Sequence, residues 1–140
     1  MITFLDSSII VAGLVENQAS HQECKALLSG AGQLAVFTHV FTEVFNTLTG
    51  SRLGFRIPAP VVATLLRERV LPRVQVVELN VDEILGALDQ AEMRGVRGGA
   101  VFDYLHLAAG HKVQAARMCT LDVDDFKHFH RVGDPEIVHP

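Results

Sequence analysis

Ile2-Thr3-Phe4-Leu5-Asp6-Ser7-Ser8-Ile9-Ile10-Val11 sets a short apolar run directly against a carboxylate and two hydroxyls. The run Ile2–Leu5 reads as a buried strand, being short and rich in strand-forming residues. Runs of the same kind recur at Leu34–Phe37, Val74–Leu79 and Arg117–Leu121, and Ile137-Val138 can add a short last strand. Longer segments of helical period separate them. Near-continuous apolar strands alternating with helices indicate a parallel sheet covered on both faces.

The helical segments carry their own boundary signals. Ser20 and Glu23 fit a capping box ahead of Cys24–Leu28, and Gly30 and Gly32 stop that helix. Thr38 can cap a helix whose apolar stripe is Phe41, Val44, Phe45 and Leu48, assigned to the core, and Gly50 and Gly54 mark its end. Pro58 and Pro60 suit the first turn of a helix running to about Val70. Asn80 and Glu83 form a second box before Ile84–Met93, Arg94–Gly99 is a flexible turn, and Phe102–Lys112 is the next helix. There is no internal repeat and no linker. The expectation is one α/β domain over residues 1–140, with a single parallel sheet of four to five strands between helical layers.

Composition narrows the function classes. Of 140 residues, 49% are hydrophobic, enough for a core, and 20% are charged without forming a run, which excludes wholesale disorder. No stretch approaches the about 20 apolar residues needed to span a bilayer. The chain opens on a strand with no basic segment ahead of a long apolar run, so a cytoplasmic protein is expected. Cys24 and Cys119 form no CxxC motif, and reduced thiols are expected. The net charge of −4 is wrong for coating nucleic acid. It remains compatible with an enzyme acting on nucleic acid through acidic metal ligands.

In open α/β sheets, function gathers beyond the C-terminal ends of the strands. Four acidic residues map there: Asp6 after the first strand, Glu43 one turn into the helix after the second, Asp103 at the start of a helix after a glycine turn, and Asp122 after the fourth strand. Each has an ordinary alternative. Asp6 and Asp122 can be N-caps, Asp103 can favour the positive end of its helix, and Glu43 can be a solvated first-turn residue. Apolar context favours the functional reading, because Asp6 and Asp103 sit in almost wholly apolar stretches with few cations nearby. Converging carboxylates repel and raise one another's pKa, and a hard divalent cation such as Mg²⁺ or Mn²⁺ relieves this.

Phe4-Leu5-Asp6-Ser7-Ser8, Thr42-Glu43-Val44-Phe45-Asn46, Phe102-Asp103-Tyr104-Leu105-His106-Leu107-Ala108-Ala109 and Thr120-Leu121-Asp122-Val123-Asp124-Asp125-Phe126 resemble, in this order and spacing, the four motifs of the PIN-domain family, and within it the VapC-type toxins of bacterial toxin–antitoxin pairs. The resemblance covers essentially the whole chain. It implies a three-layer α/β/α fold and Mg²⁺-dependent endonucleolytic cleavage of RNA. It also implies a VapB-type antitoxin partner and a homodimer. Carried over by residue, the acidic quartet is Asp6, Glu43, Asp103 and Asp122. Asp125 is a substitute for the last and Asp124 a third candidate; Asp122 ranks first because it follows the strand at once. Ser7 and Thr120 match hydroxyl positions that hold water or orient carboxylates. Asp6, Asp103 and Asp122 are the expected metal ligands, and Glu43 the group that orients or deprotonates water.

Arg52, Arg56, Arg67, Arg69 and Arg73 concentrate in one span and are candidate phosphate contacts, Arg52 and Arg56 foremost, against the alternative of a solvated face. His106, one turn after Asp103, is assigned to packing or hydrogen bonding. His128 and His130, two residues apart, are assigned to surface or loop. Three other classes remain open: a housekeeping RNA-processing nuclease of the same fold, a non-catalytic binding module, and a small phosphatase. The common aspartyl-phosphatase pattern needs a second Asp where this chain has Ser8. Metal-dependent cleavage of single-stranded RNA separates them.

Overall fold

A computed structural model describes all residues, Met1–Pro140. The elements are β1 (Ile2–Leu5), α1 (Ser7–Leu14), α2 (His21–Ser29), β2 (Gln33–Phe37), α3 (His39–Thr49), α4 (Ala59–Leu65), β3 (Val74–Val77), α5 (Val81–Asp89), α6 (Ala91–Arg94), α7 (Ala100–Lys112), β4 (Arg117–Cys119), α8 (Val123–Lys127) and β5 (Glu136–Val138). A π turn, Leu66–Val70, and a 3-10 turn, Leu71–Arg73, lead from α4 into β3. The five strands form one sheet, order β3-β2-β1-β4-β5, and every pairing is parallel. The sequence reading of a single parallel sheet between helices is therefore what the chain builds.

Strand alternation explains the three layers. Along β1, Phe4 joins one core and Leu5 the other. Along β2, Leu34 and Val36 face the first core while Ala35 and Phe37 face the second, and Met118 and Cys119 of β4 divide likewise. The core containing Leu5, Val36 and Cys119 is covered by α1–α4 through Ile9, Ile10, Leu28, Val44, Leu48 and Val62. The core containing Phe4, Phe37 and Met118 is covered by α7 and α8 through Tyr104, Leu105, Leu107 and Phe126. Gly13 lets α1 and α2 approach closely: a Cβ there would stand 2.5 Å from Leu28 Cδ1.

Several local expectations give way to tertiary context. Asn80 and Glu83 form the reciprocal capping box, with Glu83 N donating to Asn80 Oδ1 at 2.8 Å. Ser20 does not cap α2, because its backbone is left-handed (φ 64°) and its hydroxyl makes no cap bond. Nor does Thr38 cap α3; its hydroxyl instead donates to the Val77 carbonyl at 3.1 Å, tying the end of β2 to that of β3. The helix expected over Ile84–Met93 breaks at Gln90 into α5 and α6, and α6 ends at Gly95 with φ 73°. β3 and β4 are shorter than their apolar runs, so Leu79, Thr120 and Leu121 lie beyond the strand ends. Phe45 is 39% exposed, so the α3 stripe belongs to the core only in part. No helix is long and apolar enough to cross a membrane.

Candidate active site

Parallel pairing puts the C-terminal ends of β1, β2 and β4 on one edge, and the site is assembled there. The register Leu5↔Cys119 brings Asp6 beside Thr120, one step past both strands. Asp6 is 3% exposed and caps α1. Its Oδ1 accepts from Ser8 N at 3.1 Å and Ser8 Oγ at 2.6 Å, and its Oδ2 accepts from Thr120 Oγ1 at 2.7 Å. The same hydroxyls fix the next loop: Leu121 N donates to Ser8 Oγ at 3.0 Å and Asp122 N to Thr120 Oγ1 at 2.9 Å. Burial raises the Asp6 pKa, against the lowering effect of Ser8, Thr120 and His106, while the Asp122 charge adds to the rise.

Glu43 reaches the edge from α3. Its Oε2 accepts from Ser7 Oγ at 3.2 Å, and its Oε1 lies 2.6 Å from His106 Nε2. Burial works to raise its pKa, but the hydrogen bond and charge of His106, with Ser7 and His39, hold it below the ordinary glutamate value. Asp103 stands in the first turn of α7, just after Gly98 (φ 59°) and Gly99. Its carboxyl is pushed up to about 6, first by burial, then by the charge of Asp6, with Glu43 and Asp122 adding and His106 opposing. Thus Asp103 feels the other three members of the expected quartet. Asp122 precedes α8 without capping it, so the ordinary N-cap reading holds for Asp6 and fails for Asp122.

Two clefts open at this edge. Ser7, Ser8, Thr47, Arg52 and Asp122 share one of about 310 Å³. Asp103, Asp124, Asp125 and His128 share another of about 450 Å³. The competing candidates for the fourth acid therefore sit in different clefts. Only Asp122 figures among the charges that raise both Asp6 and Asp103.

No three His, Cys, Asp or Glu side chains stand close enough together to hold a metal ion as placed. The physical reason is visible in the hydrogen bonds: Asp6 turns to Ser8 and Thr120, and Glu43 to Ser7 and His106. In donor chemistry the set still fits a hard divalent cation, being carboxylate oxygens with one member, Asp103, held by no hydrogen bond that offsets its burial.

Arg52, Arg56, Arg67 and Arg69 are exposed, as phosphate contacts must be. Arg73 leaves that group, because its guanidinium donates to the carbonyls of Leu28 (2.6 Å) and Gly30 and fastens β3 to the end of α2. His128 is exposed at the end of α8, whereas His130 is half-buried with Nε2 3.0 Å from the Pro135 carbonyl. Sequence reasoning passed over Ser8, which donates twice to Asp6. The signal was present: in Asp6-Ser7-Ser8 an N-cap aspartate puts the second serine at N2, where its amide meets the cap. The signal is weak in the sequence because α1 is apolar throughout, with Ile9, Ile10, Val11, Ala12 and Gly13 all buried, and shows no helical period.

An open parallel sheet with an acidic edge, where the charges of Asp6, Glu43 and Asp122 all act on Asp103, makes this an α/β protein with an acidic candidate site. The PIN domain model matches residues 3–133, and the chain belongs to the PIN domain family. No curated protein sequence is similar enough to match. Among solved structures, the chain is similar to Mycobacterium tuberculosis VapC20, described as a sarcin-ricin loop cleaving toxin, with 23% identity, TM-score 0.69, and 89% of this chain and 93% of that one covered. It is similar to VapBC2 from Rickettsia felis bound to a DNA fragment from their promoter, with 17% identity, TM-score 0.69, and 100% and 99% covered. It is also similar to FitAcB from Neisseria gonorrhoeae, with 16% identity, TM-score 0.62, and 98% and 96% covered. At these identities the likeness concerns the fold.

Proposed function

We propose that this protein is a metal-dependent endoribonuclease, the toxin of a VapBC-type toxin–antitoxin pair. The observation that carries the reading is the PIN domain match over residues 3–133, together with an Asp103 carboxyl that burial and the charges of Asp6, Glu43 and Asp122 raise. Similar folds described as a cleaving toxin and as VapBC and Fit complexes support it.

Asp6, Asp103 and Asp122 are the residues to hold Mg²⁺, or Mn²⁺, with Asp125 as substitute for the last. When bound, such an ion offsets the phosphoryl charge and lowers the pKa of water. Glu43 accepts a hydrogen bond from, and then a proton of, the attacking water. The water oxygen bonds to phosphorus as the bond to the leaving ribose oxygen breaks, and that oxygen takes a proton from solvent to leave as the alcohol. Thr120 and Ser8 keep Asp6 in place, and Ser7 does the same for Glu43. Arg52, in the cleft with Ser7 and Asp122, and the exposed Arg56 contact RNA phosphates. The partners are RNA, a VapB-type antitoxin and a second copy in a homodimer, in the cytoplasm.

The test is cleavage of a long single-stranded RNA by purified protein with Mg²⁺ or Mn²⁺, with excess chelator, and with Asp6→Asn. Cleavage by wild type alone, abolished by chelator, is the expected result. An uncut RNA in both metals, or cutting by a folded Asp6→Asn at the wild-type rate, sinks the reading. One observation favours a second reading, a non-catalytic PIN module: the carboxylates as placed do not gather in threes around one point. RNA binding with neither cleavage nor Mg²⁺ uptake by calorimetry would establish that alternative.

A further inference from the structure

Glu43 is held from both sides, and the stronger hold is unusual. His106 Nε2 lies 2.6 Å from Glu43 Oε1, and the His106 ring is fully buried, at 0% exposure. It meets the Phe37 ring edge-on, centroids 5.6 Å apart and planes 88° apart. Its other nitrogen, Nδ1, is the one buried side-chain polar atom in the protein without a hydrogen-bond partner. A packing role alone would be served better by an apolar ring, since an unpartnered polar atom in a core is a cost. The imidazole is therefore accounted for by what its Nε2 does.

We propose that His106 is a positioning residue for the reaction, fixing the carboxylate of Glu43 toward the water it handles. The proposal rests on the reading of Glu43 as the water-handling group. The Glu43 carboxylate can only accept, so the network assigns the proton between the two groups to Nε2, and the neutral ring is the Nε2–H tautomer. Ser7 takes the opposite oxygen of Glu43 at 3.2 Å, so the carboxylate plane is set by two donors from different elements, α1 and α7. One helix, α7, thereby supplies both Asp103 and the group that orients Glu43, keeping the two carboxylates in a fixed relation.

Two variants and one spectrum test this. His106→Phe keeps a ring against Phe37 and removes the donor; His106→Gln keeps an N–H near the Nε2 position. The expected result for His106→Phe is a fall in kcat of about 10–100-fold with KM changed less than about threefold, and His106→Gln recovers most of that loss. Asp103→Asn is assayed alongside. If wild type itself does not cleave, or Asp103→Asn cleaves equally well, the functional reading fails. If Asp103→Asn is inactive while His106→Phe keeps the wild-type kcat, the positioning role alone is overturned. Independently of activity and of metal, the ring ¹⁵N shifts of His106 in the wild-type protein at neutral pH are expected to show a protonated Nε2, with the Nε2 signal moving in Glu43→Gln. The opposite tautomer, or no response to Glu43→Gln, overturns the proposal even if both variants fail to fold.

Discussion

Asp6 and Asp103 are both carboxylates with raised pKa values at the same sheet edge, yet they are held in opposite ways. Asp6 is closed in by three donors from α1 and the β4 loop, and it is all but inaccessible. Asp103 follows two glycines, borders an open cleft, and has no donor to offset its burial. One half of the site is built by the chain's own hydroxyls, while the other is left electrostatically unfinished. A site of this kind is part pre-formed and part dependent on what binds it.

The largest effect expected from breaking this comparison is on activity. Asp6→Asn and Asp103→Asn are each expected to lower RNA cleavage by more than about 100-fold, read as kcat/KM on a defined RNA with folding checked by circular dichroism. Thr120→Val removes a donor from a buried carboxylate oxygen on the closed half only. It is expected to cost about 1–3 kcal/mol in denaturant unfolding and about 10–100-fold in activity. An unchanged unfolding midpoint would mean that the hydroxyl network contributes nothing.

The open half is sharpened by pH. The carboxyl of Asp103 rises from 3.8 to about 6 in the folded state, so the native protein binds that proton more tightly than the unfolded chain does. Stability of the metal-free protein is then expected to fall as pH rises from about 4 to about 6 and to level off above. Asp6, raised as well, acts in the same direction. Asp103→Asn is expected to flatten the fall in thermal unfolding across that range. Smaller still is the effect of Arg52→Glu on the closed side: weaker RNA binding and a shallower dependence of log Kd on log salt, by about one charge. Identical salt slopes for variant and wild type would remove Arg52 from the interface.

Much of this was legible in the chain. The strand runs, their parallel arrangement and the Asn80–Glu83 cap are local patterns, and local patterns survive folding when nothing competes for the same groups. Ser20 and Thr38 show the failure mode: each had the right residue type, but a left-handed backbone claimed one and the Val77 carbonyl the other. Helix α1 was illegible for a different reason. Ile9, Ile10, Val11, Ala12 and Gly13 are all buried, so the helix lacks the polar face that would have betrayed its period. With α1 hidden, Ser8 had no assigned place beside Asp6.

The layer order and the residue types at the strand ends are written in the amino-acid order, because burial imposes a period on the chain and acidic residues stand out in apolar context. Tertiary structure alone decided which donor each carboxylate takes. The pairing of His106 with Glu43, 63 positions apart, and of Thr120 with Asp6, 114 apart, depends on strand register and helix rotation. No local pattern encodes those two quantities, since they are set by how the two cores pack against the sheet.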